Sequence, residues 1–440
     1  MGHFVPHTDA EIDAMLAFVG LDSLDELFAA VPAALRLSHG LDVAPGLSEP
    51  DVMAEMGRLA AANRSGGDLL CFAGAGAYDH EVPAAVRRVA FRSEFVTAYT
   101  PYQPEVAQGV LQTLFEYQTM LARLAGVEVA NASLYDGASA TVEAVNLAVA
   151  ASGRQRVWMS RGVNPTWRQV VRTFAAGTGH DIVDVALDDG LTAWPESGEA
   201  GAVVVQYPNY LGGLEDLAAA RAAADRAGAL LVVAFDPVAA GLLRSPGAYG
   251  ADVVVGEGQP FGTPMSFGGP YLGLFTCKLE HVRRLPGRLV GETVDVEGRR
   301  AYVTTLRTRE QDIRREKASS NVCTNQTLIA VCCAIQLGWL GTGGLRELAL
   351  RCARGTRYTR EALLALDGVE PHSSAATLRE FAVRTPVPAT TVVERMADEG
   401  FLAGVPLGDE YGGGLLVAVT ERRTRAEIDA YAAAMGKVVR

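Results

Sequence analysis

The sequence predicts an α/β protein built on a mostly parallel sheet, with a smaller α+β portion towards its C-terminal end. Three observations predict it. Short β-branched runs near 156–160, 182–187, 202–206, 230–235 and 252–255 alternate with helical patterns, the rhythm of a parallel sheet wrapped by helices. The runs are apolar without alternation, as strands covered on both faces must be. They also end in turn residues. Leu230 to Phe235 stops at Asp236-Pro237, and Val253-Val254-Val255 empties into Gly256-Glu257-Gly258-Gln259-Pro260 and on to Gly268-Gly269-Pro270.

In chain order, residues 1–65 read as an N-terminal helical arm. Thr8 with Glu11 makes a capping box, and Ile12, Met15, Leu16 and Val19 form a stripe that Gly20 ends. Ser23 with Glu26 repeats the pattern before Pro32. Residues 66–325 read as the large domain, opening near Leu69-Leu-Cys-Phe72. Within it Pro104 starts a helix whose stripe Val106, Val110, Leu114, Tyr117, Leu121, Leu124 runs to Gly126. Residues 307–345 read as helical, charged from Arg309 to Lys317 and then apolar. Residues 326–440 form the C-terminal helices and a small βαββα portion, with strands at Phe381–Arg384 and Gly414–Thr420 and a last helix capped by Thr424 with Glu427.

Composition narrows the function classes. With 49% apolar and 20% charged residues the 440-residue chain is ordinary for a soluble globular protein. A net charge of −12 speaks against a partner gripped through phosphates, so no nucleic acid is expected. No charge-free apolar run of membrane length appears, so no membrane span is expected, and the first ten residues lack the apolar core of a signal peptide. Six cysteines without Cys-x-x-Cys pairing fit a reducing cytoplasm. His80 and His180 lack metal-ligand spacing, and neither His-Glu-x-x-His nor Gly-x-Ser-x-Gly occurs, so no metal is expected and metallohydrolases and serine hydrolases drop out.

Ligands of such sheets sit off the carboxyl ends of the strands, where Asp236 and the glycine loop fall. An acid there, with a second strand end about two dozen residues on, is the layout of many pyridoxal-phosphate (PLP) enzymes, in which the acid meets the pyridinium and a lysine at the second site tethers the aldehyde. Here the second site is Gln259. The chain has three lysines, Lys278, Lys317 and Lys437, and none falls at that position. Asp236 is then either a vestigial ring partner or a simple turn initiator. At Tyr135-Asp136-Gly137 a helix opens whose amides, with Ser139, suit a phosphate, but Asp136 would repel one. Tyr99-Thr-Pro-Tyr102-Gln103-Pro-Glu105 is a proline-set loop dense in aromatic and polar side chains, read as a site loop against the alternative of a rigid helix cap.

Taken together these stretches resemble the alpha subunit (subunit 1) of the glycine decarboxylase P-protein family. The resemblance rests on Phe72-Ala-Gly-Ala-Gly-Ala-Tyr-Asp-His80, Thr97 to Glu105, Val129 to Gly137, Gln206-Tyr-Pro-Asn209, Gly256-Glu-Gly-Gln259, Ser266 to Tyr271, Pro286 to Thr293 and Arg314 to Cys323, and it covers nearly the whole chain. It implies the aspartate-aminotransferase-like PLP fold type I, and PLP carried by a beta subunit rather than by this chain. It further implies decarboxylation of glycine with transfer of the aminomethyl group to the lipoyl arm of the H carrier protein, in an alpha2beta2 assembly. Tyr99, Tyr102, Gln103 and Glu105 are the implied contributions to an alpha–beta site, with Tyr135, Gly137, Ser139 and Asn209 as further contacts and Asp236 and Gln259 as a vestigial site. One position departs: where the family usually reads Arg-Glu-Gln-His-Ile-Arg-Arg, this chain has Asp312. In a cleft that change alters charge and proton inventory and suits a paralogue acting on another amino acid or carrier; on a solvated face it is neutral. A non-catalytic scaffold for the beta subunit is the remaining alternative.

Overall fold

A computed structural model of the chain describes residues 6–37, 39–96 and 100–440. It divides into two compact units, one ending at Arg64 and one from Ser65 onward.

In the first unit the helix Asp9–Val19 carries the Thr8–Glu11 capping box and ends on Gly20 at φ 76°. The second expected capping box does not cap an α-helix. Leu24–Phe28 is a single 3₁₀ stretch, and the Ser23 hydroxyl bonds the Glu26 carboxylate instead of a backbone amide. A further helix, Glu49–Ala61, is capped by Ser48.

The second unit is organised on a seven-stranded mixed sheet. Its spatial order is Val129–Ala130, Gly273–Cys277, Val253–Glu257, Leu230–Phe235, Ala202–Tyr207, Arg156–Ser160 and Asp181–Val185. The last five are mutually parallel, and Gly273–Cys277 runs antiparallel to its neighbours on both sides. The unbroken apolar runs follow from the two covered faces. Val232 and Ala234 pack under the helix Gly137–Ser152, while Leu231, Val233 and Phe235 face the layer containing Leu217–Ala227. A four-stranded antiparallel sheet is built from Glu370–Pro371, Glu380–Arg384, Leu415–Ala418 and Val405–Pro406, and is backed by the helices Ala389–Asp398 and Arg425–Val438. Leu70–Cys71 pairs with Phe401–Leu402 on that side and not with the large sheet. Phe72 accordingly stacks on Tyr431, ring centroids 3.9 Å apart.

Residues 307–345 are not one helix. The charged stretch breaks into Arg307–Arg309, Gln311–Arg314 and Arg315–Lys317, separated by extended Glu310 and by Arg315 at φ 53°. The break comes at the start of the run, where the Arg309 guanidinium turns inward to the Leu285 carbonyl while Asp312 and Arg314 to Lys317 stay exposed. The long helix Thr327–Leu364 follows, bent at Gly341. Among the described residues it is the one helix long and apolar enough to cross a membrane, but Ala330, Cys333, Leu337, Leu345 and Ala349 sink into the core beside the helix Pro104–Ala125, which marks it as a core helix.

Candidate functional site

Off the carboxyl ends of the parallel strands, side chains pair with one another across the cleft. Asp236 follows the strand Leu230–Phe235, and one oxygen caps Val238 N at 3.0 Å, so its turn role is real. The other oxygen is 2.7 Å from Nη2 of Arg379, which is 4% exposed and arrives from the start of the strand Glu380–Arg384. The Arg379 guanidinium also lies 3.5 Å from the Tyr78 ring centroid and reaches His80 Nε2 at 2.5 Å. Arginine only donates, so His80 Nε2 accepts and its Nδ1 carries the proton given to Glu421 at 2.6 Å. Tyr78 in turn donates to Glu380 at 2.9 Å, and Glu380 takes the Ala75 amide at 2.7 Å. Burial raises the Glu380 carboxyl to about 7 despite those donors.

Gln259 is wholly buried and engaged on three sides. Its amide nitrogen donates to the carbonyls of Tyr78 (3.0 Å) and Thr263 (2.8 Å), and its oxygen accepts from Tyr78 N at 2.9 Å. At the helix start where a phosphate would sit, Gly137 N instead donates to Glu257 at 2.9 Å, and Ser139 N donates to Asp136 at 2.7 Å. Glu257 also takes the amides of Gln259 and Leu272, and burial pushes its carboxyl up to about 8 against those three donors. Gly137 is required here, because a Cβ would stand 2.3 Å from the Trp167 ring.

Type I folds of this kind hold PLP at this position, and the residues present do not fit it. The acid that would meet the pyridinium is paired to Arg379, and the amides that would hold the phosphate are taken by carboxylates. The cavity left between Tyr78, Trp167, Phe235, Asp236, Glu257 and Arg379 is about 40 Å³, room for a few waters, and it opens to solvent. Lys278 is paired with Asp252, Lys437 with Glu399, and Lys317 is exposed in the broken charged stretch.

A second cluster lies where residues 131–137, the loop before Thr327 and the start of the helix Pro104–Ala125 meet. Arg288, 4% exposed, donates to Thr324 Oγ1 and Asn325 Oδ1 at 3.0 Å each, to Cys323 O at 3.2 Å and to the Tyr102 hydroxyl at 3.0 Å. Tyr135 accepts the Cys323 amide through its hydroxyl at 3.1 Å, and Ser133 Oγ takes Asn325 and Gln326. Tyr102 is half exposed, and Gln103 and Glu105 are exposed beside it at the helix start. Tyr99 lies outside the described residues.

The expected residues thus separate into two groups. Asp236, Gln259, Gly137 and Ser139 belong to the filled cleft. Tyr102, Gln103, Glu105 and Tyr135 belong to the outer cluster. Asn209 joins neither: its amide is spent on Gly190, Glu215, Leu211 and Gly213, where it shapes a turn. Arg379, Glu380 and Arg288 were not among the expected residues. For Arg379-Glu380 a signal existed in a charged pair placed directly before the apolar run Phe381-Ala-Val383.

Glu143, on the helix Gly137–Ser152, is a buried acid outside both clusters, and burial raises it from the ordinary 4.5 to about 7, partly offset by Ser320 and Asn146. The folded chain therefore binds its proton more tightly than the unfolded chain. That stabilisation is complete below 4.5 and is lost as pH climbs through about 7. Glu143→Gln is expected to leave the thermal midpoint unchanged near about pH 4 and to raise stability by about 1–3 kcal/mol near about pH 8.5, read from unfolding curves at the two pH values.

The sheet order and topology define a member of the PLP-dependent fold type I class. A sphingosine-1-phosphate lyase from Burkholderia pseudomallei shares this fold at a TM-score of 0.63 and 16% identity, over 92% of this chain and 94% of the other. Within that class the chain belongs to the glycine cleavage system P-protein family, whose model matches residues 2–435. It is 45% identical, over 99% of both chains, to a Desulforamulus reducens protein named "Probable glycine dehydrogenase (decarboxylating) subunit 1". A Chlorobium limicola protein of the same name is 46% identical over 98% of this chain and 99% of its own. The crystal structure of a glycine decarboxylase (P-protein) of the glycine cleavage system, in inhibitor-bound form, superposes with a TM-score of 0.93 at 47% identity, covering 99% of this chain and all of the other.

Proposed function

We propose that the chain is the alpha subunit of a two-subunit, PLP-dependent glycine decarboxylase. With its companion it decarboxylates glycine and passes the aminomethyl group to the lipoyl arm of the H carrier protein. The companion beta subunit holds the PLP, which supplies the electron sink for loss of CO₂. The observation that carries this division of labour is the Asp236–Arg379 pair beside the buried Gln259, because it leaves this chain neither a ring partner nor a tethering amine. In this reading residues 326–440 include the small domain of the fold, the assembly is alpha2beta2 and works in the cytoplasm, and the outer cluster around Tyr102 faces the companion's site.

There Tyr102 offers a hydroxyl that accepts from Arg288 and so keeps its own proton to donate outward. Gln103 and Glu105 stand exposed on the same turn. The test is reconstitution of the two subunits and assay of glycine decarboxylation or CO₂ exchange. Tyr102→Ala and Glu105→Ala are each expected to lower turnover by roughly tenfold or more, the scale of losing one placed polar group at a reacting site. Full turnover in both variants would make the chain a scaffold for its companion. Faster exchange with another amino acid than with glycine would make it the alpha subunit of a related decarboxylase.

A further inference from the structure

Two guanidiniums attend Tyr102, with Arg288 and Arg307 Cζ each 5.2 Å from its ring centroid, and they are held very differently. Arg288 is buried and fixed by Thr324, Asn325 and Cys323 as well as by the phenol oxygen. Arg307 is 36% exposed, and its guanidinium is pinned by Asp312, with Nη2 to Oδ2 at 2.9 Å. Asp312 lies on an exposed face outside the cleft, and there it pairs with the cation that lies over a candidate site residue. Local backbone favours this grip. Arg307–Arg309 is a tight 3₁₀ turn and Gln311–Arg314 a single helical turn, so five positions of chain fold back far enough to close the ion pair.

We propose that Asp312, acting through Arg307, is a positioning residue that sets the orientation of Tyr102 in the assembled enzyme. The proposal rests on the reading of Tyr102 as a site residue. A cation over an aromatic face restrains the ring only while the cation is itself restrained. A half-exposed ion pair contributes little to global stability, so its removal acts on placement and not on folding. Placement acts on the rate once substrate is bound, and therefore on kcat more than on KM.

The experiment is a double-mutant cycle on the reconstituted full-length subunits, with kcat and KM for glycine and thermal midpoints for every variant. Asp312→Asn is expected to lower kcat about three- to tenfold with KM within about twofold and an unchanged midpoint, the range spanned by loss of one cation–aromatic restraint. Asp312→Glu, which still reaches Arg307, is expected to restore kcat to within about twofold. In a Tyr102→Ala background Asp312→Asn is expected to cost nothing further. If Tyr102→Ala is impaired while Asp312→Asn is neutral, or costs the same in both backgrounds, the positioning role is wrong and the site reading stands. If Tyr102→Ala itself keeps full turnover, the site reading falls and takes this inference with it.

Discussion

Arg379→Ala is expected to destabilise the folded chain by about 3–5 kcal/mol, the cost of removing one partner from a buried charge pair. The substitution strands more than one group. Asp236 loses its partner at 2.7 Å, Tyr78 loses the cation over its ring, and His80 loses the donor to Nε2. Glu380, already raised to about 7 by burial, loses a compensating positive charge next to it in sequence. The companion variant separates charge from packing. Asp236→Asn combined with Arg379→Met removes both charges and keeps most of the side-chain volume, so it is expected to be closer to wild type than Arg379→Ala alone. Denaturant unfolding of the three proteins checks this. A single alanine variant as stable as the parent would mean that the cleft is solvated and the pair contributes nothing.

How far the sequence disclosed this arrangement depends on the range of each interaction. The parallel strands were legible because burial on both faces leaves an unbroken apolar run, and Leu230–Phe235 is observed with the predicted ends. The cleft off the two strand ends was legible, since Asp236 closes one strand and Gln259 follows the other. The plug that fills it was not. Tyr78 meets Glu380 across 302 positions and His80 meets Arg379 across 299, and no local periodicity encodes pairings at that range. The same limit explains Leu69–Phe72, which reads as the opening of the large domain but finds its partner at Phe401–Leu402. The charged stretch Arg309–Lys317 misled differently. Its composition suits a solvated helix, and only the inward turn of Arg309 and the Arg307–Asp312 pair show why it breaks. Asp136 was readable as hostile to phosphate. That Glu257 would take the Gly137 amide in a phosphate's place was not, because the contact spans 120 positions.

Gln259→Lys returns the missing amine to its expected position and is nonetheless expected to leave the isolated chain colourless, with no cofactor adduct after borohydride reduction. The reason is in the surroundings. A lysine there keeps donors for the carbonyls of Tyr78 and Thr263 but leaves the Tyr78 amide, now bonded to the glutamine oxygen at 2.9 Å, without an acceptor. Its longer stem starts from a wholly buried position, and the ring it should meet would still find Asp236 bound to Arg379 and Gly137 bound to Glu257. Overpacking and the orphaned amide together are expected to cost about 2–5 kcal/mol, visible as a lower unfolding midpoint. Adding Arg379→Ala and Glu257→Ala would free the ring partner and the Gly137 amide, with Ser139 N still on Asp136, so any recovery of PLP binding belongs to the triple variant and not to the single one. Stoichiometric PLP on the Gln259→Lys chain by itself would show that the cleft opens on demand, and that the lysine alone was what this subunit lacked.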